Sequence, residues 1–224
     1  MEEIIVTGGY AVLRSVQEIK RVKTDDLLSS VAATAGVSTP LLPENALLFA
    51  CKGMRKVMAT CRKPDKTAFK VKSVNGIETL EIAHPWLVFI HVFEGMAYGD
   101  LYVLGASRRI QHEGEPLFKL PFRNLYASGK VCMGRDLKFD LQGPFASKAQ
   151  AAERHFFESV FNGDLDSHAR SALPEDWDME AGQNAMQLWS QKSEPASFNP
   201  MEILWRETAS FKDMIDTIIG RGKQ

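Results

Sequence analysis

The sequence predicts an α+β protein in which an antiparallel β-meander precedes a cysteine-bearing segment and packed helices. Three observations support this fold class. Residues 47–106 alternate between β-prone runs and turn sequences, residues 121–134 follow with an irregular pattern, and two helical apolar patterns come later in the chain. Strands that precede helices, rather than alternate with them, favour the α+β class. A hairpin and a helix in residues 1–37 are predicted to be appended to this core.

The appendage is predicted from short local signals. Two β-rich runs flank Thr7-Gly8-Gly9, which is typical of a hairpin. Thr24-Asp25-Asp26 then supplies a helix N-cap with acidic residues in the first turn, and Gly36 is placed to end that helix. A hairpin and one helix bury little surface, so we expect them to dock on the rest of the chain.

The core domain is predicted to span residues 38–165 and to begin, after a proline-containing connector, with five strands. The β-prone runs are 54–61, 68–74, 77–82, 86–93 and 100–104. Turn sequences separate them, and Asn75-Gly76 favours a type I′ hairpin turn. Consecutive strands are therefore predicted to pair as an antiparallel meander.

Helices are predicted after the cysteine-bearing segment. Ser147 and Gln150 match a capping box, and the helix they open is predicted to reach Asn162-Gly163. Residues 166–224 are predicted to form a C-terminal helical extension, and Asn199-Pro200 marks the start of a helix within it. Its apolar residues recur at strict helical spacing at Phe211, Met214, Ile215, Ile218 and Ile219. This stripe favours packing on the protein's own domain over binding of a partner helix.

Length and charge exclude several classes. The chain has 224 residues, with 27 basic and 28 acidic side chains, so its overall charge does not favour nucleic acid or a membrane surface. No apolar run has the length of a membrane span, and Met1-Glu2-Glu3 is not the basic start of a signal peptide. We expect a cytoplasmic protein. The odd number and wide spacing of its three cysteines disfavour a disulfide framework.

Residues 121–134, here called the flap, combine the residue types that thiol chemistry needs. Cys132 lies eight residues after Asn124, and Tyr126 and Gly129 stand between them. A thiolate that carries an acyl group needs access, a rigid backbone and a neighbouring donor for the oxyanion. Asn124 is the candidate donor. It has an alternative role in tying flap turns through its amide, and the two roles are compatible.

The flap resembles the active-site motif of ubiquitin-conjugating enzymes, His-Pro-Asn-x-Tyr-x-x-Gly-x-aliphatic-Cys. The Asn, Tyr, Gly, aliphatic residue and Cys fall in register, whereas Phe122 and Arg123 replace the His and the Pro. The run is closer to the version in protein B of the plasmid-borne PRTRC systems, Pro-Phe-x-Asn-x-Tyr-x-x-Gly-x-Val-Cys-x-Gly. The resemblance covers about residues 40–165 and implies a bacterial protein with a ubiquitin-conjugating-like fold.

The resemblance implies a transferase in which Cys132 forms a thioester with a ubiquitin-like protein and Asn124 stabilises the oxyanion. Phe122, Tyr126 and Gly129 would support the flap. The implied partners are the ubiquitin-like modifier, a ThiF/MoeB-type adenylating enzyme that loads the thiol, and a JAB-type isopeptidase from the same operon. Such operons act in plasmid maintenance or antiphage defence, and the sequence does not choose between them.

Three residues are candidates for orienting the acceptor amine and removing its proton, namely Ser128, Asp136 and Asp140. Acidic residues in loops are usually only solvated, and that is the default for both aspartates. A basic segment at residues 52–72 is the candidate docking surface for the activating enzyme, by resemblance. Its candidate contacts are Arg55, Lys56, Arg62 and Lys63. A solvated face and nucleic-acid contact are its alternatives.

Two other functions remain open. A catalytically inactive binding module would recognise the modifier or its activating enzyme and use Cys132 only for packing; the missing His-Pro pair favours it, whereas the Asn-to-Cys spacing favours activity. A cysteine peptidase would need a histidine beside the thiol, and His112 and His155 occur in no recognisable peptidase signature. The histidines show no metal-ligand spacing and no phosphate loop occurs, so neither a metal nor a cofactor is predicted.

Overall fold

The computed structural model of the protein describes three N-terminal strands and residues 42–133 and 143–220. The chain divides into two compact units, Met1–Leu41 and Leu42–Gln224. In the first unit, three strands form an antiparallel sheet in chain order: β1 (Glu3–Thr7), β2 (Tyr10–Arg14) and β3 (Ile19–Lys23). The first two strands are the arms of the predicted hairpin, and β3 was not predicted. The predicted helix at 24–36 lies outside the described residues.

The second unit contains a six-stranded sheet, a three-stranded sheet and helices. Its strands are β4 (Ala46–Lys52), β5 (Arg55–Arg62), β6 (Asp65–Ser73), β7 (Gly76–His84), β8 (Trp86–Glu94), β9 (Ala97–Ala106), β10 (Pro116–Phe118), β11 (Val160–Phe161) and β12 (Glu207–Ser210). Its α-helices are α1 (Phe145–Glu158), α2 (Asp166–Arg170), α3 (Ala185–Lys192) and α4 (Phe211–Gly220), with a 3₁₀ helix at Pro200–Ile203. Within the described residues, no helix has the length and apolar character that crossing a membrane requires.

One long, bent hairpin organises the strands. The ladder between β5 and β8 ends at the pair Arg62↔Leu87. The ladder between β6 and β7 begins three residues further along each strand, at the pair Asp65↔His84. The register is therefore unchanged across the interruption. Pro64 and Pro85 stand at the break, where a missing N–H removes ladder hydrogen bonds. The two ladders are thus successive halves of one hairpin.

The predicted meander is confirmed only in part: β6 pairs with β7 and β8 with β9, but β5 pairs with β8 instead of β6. The six-stranded sheet has the order β12–β10–β9–β8–β5–β4, in which β8 lies beside β5. β6 and β7 continue beyond the bend and form a second sheet, in which β11 pairs parallel to β6. The turn at the hairpin tip differs from the prediction. Ser73 pairs with Gly76, so the central residues are Val74 and Asn75, and neither has the positive φ that a type I′ turn requires.

The predicted helix after the flap exists, but both of its bounds were wrong. α1 begins at Phe145 after Pro144, so Ser147 lies inside the helix and does not cap it. The helix ends at Glu158, because Val160 and Phe161 pair with Lys70 and Val71 of β6 instead of continuing the helix. The two-residue strand β11 forms because β6 offers it a partner, so the local sequence does not predict it.

The C-terminal segment is not helical throughout. Asn199 and Glu202 form a capping box, but the helix it starts is the single 3₁₀ turn Pro200–Ile203. β12 then joins the edge of the six-stranded sheet by pairing with β10. The predicted apolar stripe lies on α4, which buries Phe211, Met214, Ile215 and Ile218 in the core. The stripe therefore packs on the protein's own domain, as predicted.

Candidate active site

Residues 124–132 of the flap form a small antiparallel hairpin. Leu125 pairs with Val131, the Tyr126 N–H donates to the Lys130 carbonyl at 2.9 Å, and the Cys132 N–H donates to the Asn124 carbonyl at 2.7 Å. Asn124 therefore lies opposite Cys132, and Tyr126 opposite Lys130. Directly opposed residues have Cβ atoms about 5 Å apart. The spacing of eight residues between Asn124 and Cys132 is thus a hairpin register.

The two faces of this hairpin have different environments. Successive side chains of a strand point to opposite faces, so Leu125 and Val131 share one face and are buried in the core. The other face presents Tyr126, Lys130 and Cys132, of which Tyr126 is exposed and Lys130 and Cys132 are half-buried. These three residues line one groove, whereas Asn124 is buried and is not part of its lining.

Gly129 sets the turn that holds this register. Its N–H donates to the Tyr126 carbonyl at 2.8 Å and its φ is +79°, as in a three-residue hairpin loop that closes on a left-handed residue. A Cβ atom here would lie 2.8 Å from Leu104 Cδ2. Both the backbone conformation and the space therefore require glycine.

β9 supports the hairpin from one side. The Val103 N–H donates to the Gly129 carbonyl and the Val131 N–H donates to the Leu101 carbonyl, each at 2.8 Å. Lys130 is bridged to Tyr102 of the same strand. Backbone hydrogen bonds thus attach the cysteine-bearing arm to the main sheet and hold it in place.

Phe122, which stands in place of the motif's histidine, is part of the core. Its side chain is fully buried, and its ring centroid lies 5.2 Å from those of Phe69 and Phe156 and 5.0 Å from that of Trp189. Aromatic contacts at these distances stabilise beyond the area that they bury. The start of the flap is therefore anchored by packing.

Arg123, which stands in place of the motif's proline, is a buried cation with partners on two elements. Its Nε donates to Asp166 Oδ1 at 2.9 Å and its Nη1 donates to the Lys72 carbonyl at 2.8 Å. Asp166 also accepts a hydrogen bond from Arg170. Arg123, which directly precedes Asn124, therefore anchors the flap to both β6 and α2.

Asn124 is buried beside this anchor. Only 8% of its surface is exposed, and its Oδ1 has no hydrogen-bond partner in the part of the chain that the structure describes. An unpaired buried amide oxygen costs free energy. Oδ1 thus ties no turn of the described flap, and a structural role of the Asn124 amide through its N–H groups stays a prediction.

Cys132 lines a groove of about 580 Å³ that is open to solvent. The groove is lined by Gly99, Asp100, Tyr126, Lys130, Val131, Cys132 and Met133. The Tyr126 hydroxyl hydrogen-bonds to the Cys132 side chain, and this contact raises the pKa of Tyr126 above its ordinary value. The ring of His168 approaches the same tyrosine, with 6.5 Å between the centroids. Cys132 therefore lines an open groove, and its side chain has a hydroxyl partner.

Sequence reasoning missed an ion pair in this groove. Lys130 Nζ donates to Asp100 Oδ1 at 2.8 Å, and this hydrogen bond raises the pKa of Lys130. The position of Lys130 two residues before Cys132 was a usable signal, because residues i and i+2 of a strand share a face. No local pattern pointed to Asp100.

The other predicted residues are dispersed. Ser128 is exposed in the hairpin turn, and Asp136 and Asp140 lie outside the described residues. His112 contacts Arg108 and Glu115. Among the described residues, none of those that line the Cys132 groove is a histidine.

The four predicted docking cations are not all free for a partner. Arg55 pairs with Glu94 at 3.5 Å, Lys56 donates to the Gly95 carbonyl at 3.0 Å, and the Arg62 guanidinium lies 4.2 Å from the ring centroid of Phe157. Lys63 is exposed. Their role in docking stays a prediction. No group of three or more His, Cys, Asp or Glu side chains within residues 42–133 and 143–220 is arranged to hold a metal ion.

The sheet, the helices and the flap motif define the class of ubiquitin-conjugating-enzyme-like, or E2-like, proteins. The model of prokaryotic E2 family D matches residues 23–199, and the chain belongs to this family. The match is wider than the predicted resemblance and stops before β12 and α4. No curated protein and no solved structure matches the chain. The expected bacterial E2-like family is confirmed, and with it, in general terms, a role in conjugation that involves a ubiquitin-like protein and its activating enzyme.

Proposed function

We propose that the protein accepts the C-terminal carboxyl group of a ubiquitin-like protein on Cys132 and transfers it to an amine. One observation carries this proposal: Asn124 and Cys132 are directly opposed across the flap hairpin, and Cys132 lines an open groove. The modifier arrives as a thioester on an adenylating enzyme. The Cys132 thiolate attacks the carbonyl carbon, the new C–S bond forms, and the thiolate of the activating enzyme leaves.

Transfer then proceeds through a tetrahedral oxyanion. A neutral acceptor amine attacks the thioester carbonyl, the C–S bond breaks, and the Cys132 thiolate leaves while the amine proton passes to solvent. The side-chain amide of Asn124 is the proposed donor to the oxyanion. Such a donor lowers the barrier by roughly 3–4 kcal/mol in acyl-transfer enzymes.

Other flap residues have supporting roles in this proposal. Tyr126, hydrogen-bonded to Cys132, holds the orientation of the sulfur in the groove. Phe122 and Arg123 replace the missing His-Pro pair by anchoring the flap through packing and through a buried ion pair. Ser128, Asp136 and Asp140 remain the proposed candidates for orienting the acceptor amine.

The sequence of the flap also supports finer proposals about context. Its Pro-Phe-x-Asn-x-Tyr-x-x-Gly-x-Val-Cys-x-Gly run favours a relationship to protein B of PRTRC systems. The activating enzyme would then be of the ThiF/MoeB type and the deconjugating enzyme of the JAB type. Arg55, Lys56, Arg62 and Lys63 are the proposed contacts for the activating enzyme.

A reconstituted loading reaction tests the function. The protein is mixed with its activating enzyme, its modifier and ATP, and a thiol-sensitive adduct is sought on a non-reducing gel. Cys132→Ala should abolish the adduct, Cys132→Ser should convert it to a thiol-resistant ester, and Cys51→Ala, which removes an exposed thiol, should leave it unchanged.

Two results would contradict the proposal. An adduct that survives Cys132→Ala would remove this thiol from its role. If authentic partners form no adduct but bind the protein, the non-catalytic binding module is the correct function. The replacement of the His-Pro pair by Phe122 and Arg123 is the observation that favours that second candidate.

A further inference from the structure

Lys130 lies beside the reactive thiol. Lys130 and Cys132 are two residues apart on an extended arm, on the same face and in the same groove. Two residues of a strand span about 6.6 Å, which is within the reach of a lysine side chain. Tyr126 interacts with both residues: its hydroxyl hydrogen-bonds to Cys132, and the positive charge of Lys130 lowers the Tyr126 pKa. An amine is therefore built into the site.

Such an amine threatens any thioester on Cys132. A reacting group that the fold holds close to its target acts at an effective concentration of roughly 10⁵–10⁸ M when it is well aligned. The neutral Lys130 amine would attack the thioester carbonyl, form an isopeptide bond and expel the Cys132 thiolate, and its proton would pass to solvent. This transfer would use up the modifier on the enzyme itself.

The structure also shows what opposes this reaction. The Lys130 ammonium donates to Asp100 Oδ1 at 2.8 Å, and the two side chains are 38% and 30% exposed. Only the neutral amine is a nucleophile, and a carboxylate hydrogen-bonded to the ammonium favours the protonated form. The hydrogen bond to Asp100 is the main cause of the raised Lys130 pKa. Partial burial of the ammonium acts in the opposite direction, and the nearby Tyr102 and Tyr126 act in the same direction as Asp100.

We propose that Asp100 holds Lys130 as a tethered ammonium ion and thereby protects the Cys132 thioester, and that Lys130 is a latent site of self-modification. This proposal rests on the proposed function of Cys132. Asp100 acts as a positioning residue here, because it acts through Lys130 and not on the reacting carbonyl.

The test loads the thiol without partner proteins. The full-length protein is incubated with a short synthetic peptide thioester that ends in Gly-Gly, and the products are followed by intact mass and peptide mapping. All variants carry Cys51→Ala, because Cys51 is exposed and would also react. Asp100→Asn is compared with the parent, with Asp100→Asn/Lys130→Arg and with Asp216→Asn. Asp216 is the matched control, because it binds Lys212 at the same 2.8 Å in a part of the chain that the Cys132 groove does not include.

The expected result is a stable Cys132 thioester in the parent and in Asp216→Asn. In Asp100→Asn, thiol-resistant peptide should accumulate on Lys130, faster by about tenfold for each pKa unit that the amine loses. The double variant should keep the thioester. The proposal is overturned if Asp100→Asn loads Cys132 but leaves Lys130 unmodified, or if the parent modifies Lys130 equally fast. If Cys132 of the parent is not loaded at all, the sulfur is unreachable and both this proposal and the proposed function fall.

Discussion

The backbone N–H of Cys132 donates a 2.7 Å hydrogen bond to the carbonyl oxygen of Asn124, so these two residues are cross-strand partners in the flap hairpin. Tyr126 and Lys130 line the same groove as Cys132, whereas Asn124 is buried. The eight-residue spacing from Asn124 to Cys132 is thus the register of one β-hairpin.

Asn124→Ala should slow transfer from Cys132 far more than loading. Removal of an oxyanion donor reduces acyl transfer by about 10²–10³-fold, whereas loading depends chiefly on the access of the thiol. Discharge of the thioester to free lysine is the measurement. Asn184→Ala is the control, because it removes another buried asparagine, the N-cap of α3, and should lower stability by about 1 kcal/mol with no selective loss of discharge. Equal losses in loading and discharge would assign Asn124 a structural role.

Cys132→Ala should lower the pKa of Tyr126 toward its ordinary value of about 10. The neutral phenol is the hydrogen-bond donor to the sulfur, so the contact stabilises the protonated form and raises the pKa; its removal shifts ionisation to lower pH. Phenolate absorbance is titrated in the parent and in Cys132→Ala, and the curve of Tyr126→Phe isolates the signal of this tyrosine. The same curve before and after Cys132→Ala would show that the hydroxyl does not contact the sulfur.

Arg123→Ala should destabilise the protein by about 1.5–3 kcal/mol, because it removes a largely buried charged hydrogen bond to Asp166, whose carboxylate keeps Arg170 as a partner. The Arg123 and Asp166 side chains are 10% and 19% exposed. Arg170→Ala removes the other, 48% exposed partner of the same carboxylate and should cost about 1 kcal/mol or less. Urea unfolding measures both. Equal destabilisation by the two variants would contradict an anchoring role for Arg123.

Gly129→Ala should destabilise the flap by more than its backbone strain. A positive φ costs a non-glycine residue roughly 1–3 kcal/mol, and the new Cβ would also lie 2.8 Å from Leu104 Cδ2. Gly182→Ala is a matched control with φ +83° and open space around its Cβ, so it bears only the backbone cost. Urea unfolding of the two variants separates the terms. If Gly182→Ala is as costly as Gly129→Ala, close packing against Leu104 contributes nothing.

The strands that were predicted best are those whose signal is local. β5 to β9 were located within a few residues, because apolar alternation and turn residues are properties of short segments. β10, β11 and β12 contain only two to four residues each, and they exist because a distant strand offers a free edge. The prediction of a capping box at Ser147 was wrong, because the helix already begins at Phe145.

The sequence by itself determined the parts of the site that depend on spacing. Asn124, Tyr126, Gly129 and Cys132 lie within nine residues, and a hairpin loop that closes on a glycine is enough to bring the asparagine opposite the cysteine. Only the tertiary structure decided which distant groups surround them. Lys130 meets Asp100, and Arg123 meets both Asp166 and β6, because ion pairs between remote residues depend on how sheet and helices pack, and no local pattern records that packing.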